Sequence, residues 1–370
     1  MIKRTFDKLK ITTSLLGFGT MRFPLDKEGK IEEIEAEKMM DLAISSGVNY
    51  IDTAYPYHNG FSEPFVGKVL DKYPRDSYYL ATKLPMWKVE KKEDVLQIFE
   101  EQLKRLNKEY VDFYLLHALN RNYFKKIKDF DIIDIVEDLR KQGKIKYIGF
   151  SFHDDYSVFE EIINYHEWDF CQIQFNYMDT DIQAGIKGYE LAKSKNIPVI
   201  VMEPIKGGLL AKLPADISEY LRNRSNLSDS SYALRYVASF DNIKIILSGM
   251  STLEHVKDNL DTFINYQPLT DEENERINGV IEKLNARINN GCTGCKYCMP
   301  CPKGVNIPGI FSAWNEYGMY QNKNSFIRNI EYFKSKDAFA NMCVECGLCE
   351  KACPQKLSIR EDLKKVMNEI

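Results

Sequence analysis

Short apolar segments alternate with amphipathic segments through roughly the first 290 residues, and the pair repeats about eight times. The apolar segments are as long as β-strands and apolar at nearly every position, which is typical of strands buried on both faces. They are Leu15 to Gly19, Tyr50 to Asp52, Tyr79 to Thr82, Phe113 to Leu116, Ile145 to Phe150, Phe170 to Phe175, Pro198 to Val201 and Ile243 to Leu247. The segments between them have helical spacing, for example Glu32 to Ser46, Glu93 to Leu106, Ile132 to Gln142, Ala184 to Lys195 and Ser230 to Ser239. Eight such β-then-α units predict an α/β fold, a (β/α)8 TIM barrel.

A doubly wound open sheet is the alternative for alternating strands and helices. Its first strand would be followed by a glycine-rich turn with three glycines at fixed spacing. Gly17 and Gly19 are present after the first apolar segment, but the third glycine is missing. The pattern therefore favours the barrel.

The barrel pattern ends shortly before residue 290. Thr270 and the acidic residues behind it predict the start of a helix that continues to about Ile288, and Asn289-Asn290-Gly291 interrupts it. We therefore predict a barrel domain at residues 1–288 and a second domain at residues 289–370. Aromatic and apolar residues between Cys301 and Cys343 have helical spacing, so the second domain is expected to be small and mainly helical.

Cysteine is concentrated in the second domain. Eight of the nine cysteines form two groups: Cys292, Cys295, Cys298 and Cys301, then Cys343, Cys346, Cys349 and Cys353. Three thiolates at steps of three residues suit three corners of a [4Fe-4S] cluster, and the fourth, before a proline, is free to reach a second cluster. Paired Cys-x-x-Cys elements also form zinc sites, but a third cysteine repeated in both groups has no role in one. The spacing favours two [4Fe-4S] clusters over zinc.

Composition narrows the classes of partner and compartment. The net charge is -4, so no large basic face is available for nucleic acid. Charged residues interrupt the N-terminal segment every few positions, and no apolar run is long enough for a signal peptide or a membrane span. Cysteines crowded as metal ligands indicate a reducing compartment. We expect a cytoplasmic protein with no nucleic-acid or membrane partner.

Ionisable residues end three successive predicted strands. Asp52, Lys83 and His117 each close an apolar segment, and Tyr57 lies five residues beyond Asp52. A single residue of this kind often only faces water, but a TIM barrel places its chemistry at the carboxyl ends of its strands. Four such residues on three strands therefore predict an active site.

These four side chains suit the reduction of a carbonyl group. A phenol is a poor acid at neutral pH unless an ammonium group stabilises its anion, and a carboxylate can hold that ammonium in place. Tyr57, Lys83 and Asp52 fit these three roles. His117 would be the neutral hydrogen-bond donor that aligns the carbonyl oxygen.

The motifs around these residues resemble those of a known family, the aldo-keto reductases. The motifs are Asp52-Thr53-Ala54-Tyr55-Pro56-Tyr57, Thr82-Lys83 and Leu115-Leu116-His117. The resemblance extends over about the first 285 residues and implies a TIM barrel that uses a nicotinamide cofactor. The tail from Cys292 to Pro302 resembles the branch of this family with a C-terminal dicluster ferredoxin-like domain.

The resemblance also implies a set of cofactor contacts. Gly19, Thr20 and Met21 would border the cofactor, and Ser151 and Gln174 would contact the nicotinamide carboxamide. Met202 to Gly208, including Pro204, would form the loop beside the nicotinamide and the pyrophosphate. Gly207 and Gly208 suit that position because glycine lets backbone N–H groups approach phosphate oxygens closely.

The adenosine side of the cofactor would lie against Gly249, Ser251, His255, Asp258 and Asn259. Gly249 and His255 stand where many family members have a Lys and an Arg. The 2'-phosphate of NADP(H) favours permanent cations, which Gly249 and His255 do not supply. The cofactor could therefore be NAD(H) as well as NADP(H).

The leading hypothesis is a nicotinamide-dependent oxidoreductase that reduces an aldehyde or ketone, or oxidises the alcohol. The clusters would serve electron transfer, docking of a redox partner protein, or structure. The sequence leaves two alternative functions open. One is a nicotinamide-binding redox sensor or scaffold with little turnover, and the other is a ferredoxin-linked reductase that uses an external flavin partner.

Overall fold

The computed structural model describes residues 1–370 and confirms the predicted TIM barrel. Eight parallel strands close into a barrel in which each strand pairs with its neighbours in chain order, and the last pairs with the first. The strands are β3 (Leu16–Gly19), β4 (Tyr50–Asp52), β5 (Tyr79–Leu84), β6 (Val111–Leu119), β7 (Ile145–Phe152), β8 (Phe170–Gln174), β9 (Val199–Met202) and β10 (Ile243–Ser248).

Helices connect the barrel strands. They are α1 (Glu33–Ser45), α2 (Ser62–Leu70), α3 (Lys92–Leu106), α4 (Arg121–Asp129), α5 (Ile132–Lys141), α6 (Tyr156–Tyr165), α7 (Gly185–Ser194), α9 (Asp229–Ala238) and α10 (Leu253–Ile264), with α8 (Ala215–Arg222) between α7 and α9. The apolar faces of the connecting helices share one large buried core with the outward-facing strand residues. This arrangement explains why the strand segments are apolar on both faces.

A separate apolar cluster fills the barrel interior. Its buried members from the barrel strands are Tyr50, Ala81, Phe113, Leu115, Phe170, Ile200, Ile245 and Leu247. Side chains alternate between the two faces of a strand, so the residues two positions further along also point inward. The carboxyl ends of the strands form the mouth of the barrel. The interior packing therefore determines which side chains reach this mouth.

An N-terminal hairpin precedes the barrel and was not predicted. β1 (Lys3–Phe6) and β2 (Ile11–Ser14) pair antiparallel, and the buried Phe6 ring lies 6.0 Å from the ring of Phe113 in the barrel interior. Because Phe113 is near the amino end of β6, the hairpin lies at the end of the barrel opposite the mouth.

The chain divides into two compact units. The first comprises residues 1–211 and 226–271, and the second comprises residues 212–225 and 272–370. The division after residue 288 stays a prediction. The second unit contains α8 and the helices α11 (Asp271–Asn285), α12 (Ile307–Tyr320), α13 (Lys323–Ser335), α14 (Leu348–Ala352) and α15 (Ile359–Asn368). Among all these helices, none is both long and apolar enough to cross a membrane.

Candidate functional site

Six strands direct an inward-facing side chain to the mouth of the barrel. Counting two residues on from the apolar interior gives Asp52, Lys83, His117, Gln172 and Met202, and Ser151 lies four residues beyond Tyr147 on the same face of β7. Five of these six positions were predicted as site residues from the sequence. Gln172 was not.

Lys83 is at the centre of the predicted catalytic group. Its ammonium nitrogen Nζ donates to Asp52 Oδ1 at 2.6 Å and to the Thr53 carbonyl oxygen at 2.8 Å, and lies 3.4 Å from the Tyr57 hydroxyl. The Lys83 side chain is fully buried and that of Asp52 is 3% exposed. The structure therefore brings together the ammonium, the carboxylate and the phenol.

Burial and charge act in opposite directions on this group. Burial raises the pKa of Tyr57, and the Lys83 ammonium lowers it by less, so the pKa stays above its usual value. Burial lowers the pKa of Lys83, but the Asp52 and Tyr57 charges raise it by more, so the amine holds its proton firmly. Lys83 therefore offsets the cost of forming a phenolate in a buried place.

His117 forms one wall of the same site. Burial, helped by the nearby Lys83 charge, holds the pKa of His117 well below its usual value, so the imidazole is neutral at neutral pH. Its ring lies 6.3 Å from the Tyr57 ring and 5.1 Å from the half-exposed Trp87 ring. A neutral imidazole has one N–H with which to orient a carbonyl oxygen.

The turn that carries Tyr57 has an uncommon backbone. His58 and Asn59 both have left-handed φ angles, 52° and 56°. His58 Nε2 lies 3.0 Å from the Thr20 carbonyl oxygen, and its ring packs at 5.8 Å from Phe23. His58 thus ties the Tyr57 turn to the segment after β3.

A buried polar network lies behind Lys83. Thr82 Oγ1 donates to Glu63 Oε1 at 2.7 Å, and Gln102 Nε2 donates to the same oxygen at 2.8 Å and to the Lys83 carbonyl oxygen at 3.0 Å. Glu63, Thr82 and Gln102 are fully buried. The backbone of β5 is therefore fixed where Lys83 leaves it.

Two glutamines of β8 have different surroundings. Gln172 is 3% exposed, its Nε2 contacts Met202 Sδ at 3.4 Å, and its buried Oε1 has no hydrogen-bond partner. Gln174, the predicted carboxamide contact, donates to Asp179 and accepts from Gln183. The unpaired acceptor at the mouth thus belongs to Gln172, and an amide ligand would satisfy it. Ser151 lies on the neighbouring strand, paired with Gln172.

The predicted phosphate side has the expected glycine conformation. Gly207 and Gly208 have φ angles of 63° and 104°, which disfavour any residue with a side chain. Gly19 lies against the backbone of Ser248, so a Cβ there would come 3.3 Å from the Ser248 carbonyl oxygen. Thr20 is buried and Met21 exposed. Gly207 is exposed and Gly208 partly exposed, so their backbone is accessible to a ligand, whereas Gly19 is buried.

The predicted adenosine side is built on the start of α10. Asp258 Oδ2 accepts from Ser228 and Ser230, and Asn259 donates to Ser248 Oγ at 2.6 Å. Ser251 and His255 are joined by a 3.3 Å contact from the Ser251 N–H to His255 Nδ1.

Arg22 supplies a cation beside this region that the sequence analysis did not identify. A Cβ at Gly249 would lie 2.8 Å from Arg22 Cγ, so glycine leaves room for the Arg22 stem. Arg22 and Gly249 are far apart in the chain, and no local sequence motif indicates that they lie together.

The eight clustered cysteines line two separate cavities in the second unit. One cavity is lined by Cys292, Cys295, Cys298 and Cys353, and the other by Cys301, Cys343, Cys346 and Cys349; Cys298 lines the second cavity as well as the first. None of the eight forms a disulfide bond. The thiols surround cavities instead of converging on one point, and accordingly no three His, Cys, Asp or Glu side chains are placed to hold a single metal ion.

Once the shared Cys298 is grouped with Cys292 and Cys295, each cavity combines three cysteines of one group with the fourth cysteine of the other group. The donor set fits two cubane clusters, each of which takes four thiolates.

Comparisons with known proteins agree with this geometry. The chain matches the aldo/keto reductase family over residues 15–282 and a 4Fe-4S dicluster domain over residues 291–357. It is 25% identical over 307 residues to the uncharacterized oxidoreductase YqkF of Bacillus subtilis, which covers 74% of this chain and 94% of that protein. It is 27% identical over 227 residues to the NADH-specific methylglyoxal reductase of Escherichia coli, covering 54% of this chain and 66% of that protein.

Solved structures also resemble the barrel. The holo form of aldo-keto reductase AKR11C1 from Bacillus halodurans is 28% identical, with a TM-score of 0.64 over 75% of this chain and 96% of that one. An aldo-keto reductase from Klebsiella pneumoniae in complex with NADPH shares the fold with a TM-score of 0.63 at 22% identity. The family match covers well over half of the residues. The chain belongs to the aldo/keto reductase family of NAD(P)-dependent oxidoreductases, and it carries a 4Fe-4S dicluster domain after its barrel in the sequence.

Proposed function

We propose that this protein reduces an aldehyde or a ketone to an alcohol with a reduced nicotinamide cofactor, or catalyses the reverse oxidation. The observation that carries the proposal is the position of Lys83 Nζ, 2.6 Å from Asp52 Oδ1 and 3.4 Å from the Tyr57 hydroxyl. A carbonyl reductase needs a proton source whose anion is stabilised, and this group of side chains is one.

Each residue has one task in the proposed reaction. The cofactor, when bound, would supply a hydride to the carbonyl carbon. Tyr57 donates its hydroxyl proton to the carbonyl oxygen, and the Lys83 ammonium stabilises the phenolate that remains. Asp52 holds Lys83 in place, and the neutral His117 donates a hydrogen bond that orients the carbonyl oxygen.

The cofactor would lie across the mouth of the barrel. Gln172 and Ser151 are the proposed contacts of the nicotinamide carboxamide, because the buried Gln172 Oε1 lacks a partner. Gly207 and Gly208 would approach the pyrophosphate, and the start of α10 would face the adenosine. Arg22, beside Gly249, is a cation that could bind the 2'-phosphate, so we propose either NADP(H) or NAD(H) as the cofactor.

The second unit is proposed to hold two [4Fe-4S] clusters. One would be ligated by Cys292, Cys295, Cys298 and Cys353, and the other by Cys301, Cys343, Cys346 and Cys349, as the two cavities indicate. When bound, such clusters carry single electrons. They would connect the protein to a redox partner or stabilise the fold of the unit.

Removal of one hydroxyl group tests the proposed reaction. Tyr57→Phe should lower kcat/KM for a panel of aldehydes and ketones by about 10²- to 10⁴-fold, because it removes the proton donor. The affinity for NADH or NADPH, measured by fluorescence titration, should stay within about two-fold of that of the parent protein, since the phenol is not proposed to bind the cofactor.

Tyr55→Phe is the matched control, since Tyr55 lies in the same loop and its hydroxyl donates to Glu101. It should retain activity. If Tyr57→Phe reduces carbonyls as fast as the parent protein, or if the parent protein turns over no carbonyl or alcohol with either cofactor, the proposal is wrong.

A further inference from the structure

The segment from Glu203 to Gly208, called here the glycine loop, has an uncommon backbone conformation. Glu203, Lys206, Gly207 and Gly208 all have left-handed φ angles, and two of these residues carry side chains. Such angles are strained in residues other than glycine and persist only when surrounding contacts impose them. The contacts that impose them here come from the segment after β8.

Asp179 is the centre of these contacts. Its carboxylate accepts from Lys206 Nζ at 2.5 Å and 2.7 Å, from Gln174 Nε2 at 3.0 Å and from Asn176 Nδ2 at 3.0 Å. The Asp179 side chain is 2% exposed, whereas that of Lys206 is 25% exposed. A buried carboxylate with this many donors is held firmly in one position.

Asn176 extends the same contacts to the start of the glycine loop. Its Nδ2 donates to the Glu203 carbonyl oxygen at 3.1 Å, and its Oδ1 accepts from the backbone N–H of Met178 and of Asp179, both at 3.0 Å. The glycine loop is thus held at its first residue through Asn176 and at its fourth residue through Lys206.

We propose that Asp179 is a positioning residue, which clamps the glycine loop in the shape that receives the dinucleotide. The inference rests on the proposed function, in which this loop lies beside the nicotinamide and the pyrophosphate. The clamp also engages the only cation of the loop, so the loop offers the cofactor its backbone and not the Lys206 charge. Gln174 acts through Asp179.

Another buried carboxylate distinguishes positioning from general stabilisation. Asp112 is 1% exposed, pairs with Arg75 at 2.6 Å and Lys146 at 2.9 Å, and accepts from the Leu80 N–H at 2.9 Å. It lies at the start of β6, at the end of the barrel opposite the mouth. Asp112→Asn therefore removes a comparable charge without touching the glycine loop.

The test compares Asp179→Asn, Lys206→Met and Asp112→Asn in the full-length protein with its clusters loaded. Lys206 is partly exposed and its variant keeps the Asp179 side chain with its amide donors, so it provides a second test if Asp179→Asn fails to fold. We measure the Kd for NADH and NADPH by fluorescence, kcat and KM separately, and amide hydrogen exchange of the peptide covering residues 203–211. If the competent loop population falls to about a tenth, Kd and the cofactor KM rise about ten-fold.

The expected result is weaker cofactor binding and faster exchange of residues 203–211 in both clamp variants, with neither change in Asp112→Asn. Equal cofactor affinity in the parent protein and in the folded clamp variants overturns the positioning role and leaves the proposed function intact. An equal loss in Asp112→Asn overturns it as well, since the effect would then be general. If the parent protein binds neither NADH nor NADPH, the proposed function and the positioning role both fall.

Discussion

The ammonium group of Lys83 is fully buried and lies next to the proposed proton donor Tyr57. An ammonium group in the protein interior is costly unless opposite charge and hydrogen-bond acceptors surround it. Asp52 Oδ1 and the Thr53 carbonyl oxygen provide both at 2.6 Å and 2.8 Å. The Lys83 ammonium is also close to the Tyr57 hydroxyl. The contacts that stabilise the buried Lys83 charge therefore also place it where it stabilises the Tyr57 phenolate.

The pKa directions predict the pH dependence of the reaction. Carbonyl reduction needs protonated Tyr57, whose pKa burial raises above 10.0, and neutral His117, whose pKa burial lowers well below 6.5. The rate of reduction should therefore be constant from pH 6.5 to about 9 and should fall only above about pH 10, where Tyr57 loses its proton. Alcohol oxidation, which needs the phenolate, should become faster as the pH rises.

Measurement of kcat/KM in both directions between pH 5 and about pH 11 checks this prediction. A decline of the reduction rate centred near pH 6.5 would mean that His117 titrates normally, in contradiction to its buried position.

The two glutamines of β8 permit a direct comparison. Gln172→Leu should raise the KM for the cofactor about ten-fold, because it removes one hydrogen bond to the carboxamide and leaves a buried polar ligand group unpaired. Gln174→Leu should have a smaller effect, since Gln174 bonds to Asp179 and Gln183. The cofactor KM values of the two variants test this assignment, and a larger effect at Gln174 than at Gln172 would contradict it.

At the scale of the elements, the sequence predicted the barrel because buried parallel strands are continuously apolar. The segment from Ile145 to Phe150 became β7, and the segment from Ile132 to Gln142 became α5, each within two residues at its ends. The hairpin of β1 and β2 was missed because its strands are four residues long and half exposed. Phe6 packs into the barrel interior, with Leu9 and Ile11 against the same cluster, and these long-range contacts explain why the hairpin forms.

Site residues were predictable where a strand ends in an ionisable side chain, as at Asp52 and Lys83. The choice between Gln172 and Gln174 could not be predicted. The two residues are two positions apart in β8 and therefore point to the same side of the strand, and only their distance from the apolar interior distinguishes them. The role of Lys206 was hidden for another reason. Its partner Asp179 lies 27 residues earlier in the chain, and the two meet because they follow the neighbouring strands β8 and β9.

The contact between α2 and α3 depends on one glycine. A Cβ at Gly67 would lie 2.1 Å from the Leu106 carbonyl oxygen, whereas alanine inside a helix is otherwise favoured over glycine by about 1 kcal/mol. Gly67→Ala should therefore lower the free energy of unfolding by about 3 kcal/mol, because the backbone of α3 must move.

Urea unfolding followed by circular dichroism measures this change. Gly291→Ala is the control, since its Cβ would approach nothing closer than Leu357 at 3.9 Å, and its effect should stay below about 0.5 kcal/mol. A stabilised Gly67→Ala variant would show that helix propensity outweighs the helix contact.

At the scale of the whole molecule, the second unit has a small core, and six of its eight clustered cysteines pack against it. Fourteen buried residues form the core, and Cys292, Cys298, Cys301, Cys343, Cys349 and Cys353 pack against it. Ligands that pack against the core couple metal binding to folding. The clusters would therefore stabilise this unit whatever their role in electron transfer.

The two cavities predict that each cluster depends on the distant cysteine group for one ligand. Cys301→Ser should destroy the cluster held by Cys343, Cys346 and Cys349, and Cys353→Ser should destroy the cluster held by the first group. Each variant should retain about four of about eight iron atoms per chain, because each cubane contains four. The sequence spacing alone left this pairing open.

Alkylation of free thiols followed by mass spectrometry identifies which cluster is lost. In anaerobically purified Cys301→Ser, the thiols of Cys343, Cys346 and Cys349 should become reactive while Cys292, Cys295, Cys298 and Cys353 stay protected. Cys171→Ala is the control, because Cys171 is buried in β8 and both clusters should survive its loss. If Cys301→Ser instead exposes the thiols of its own group, each cluster is held within one group, and the crossed arrangement that the cavities indicate is wrong.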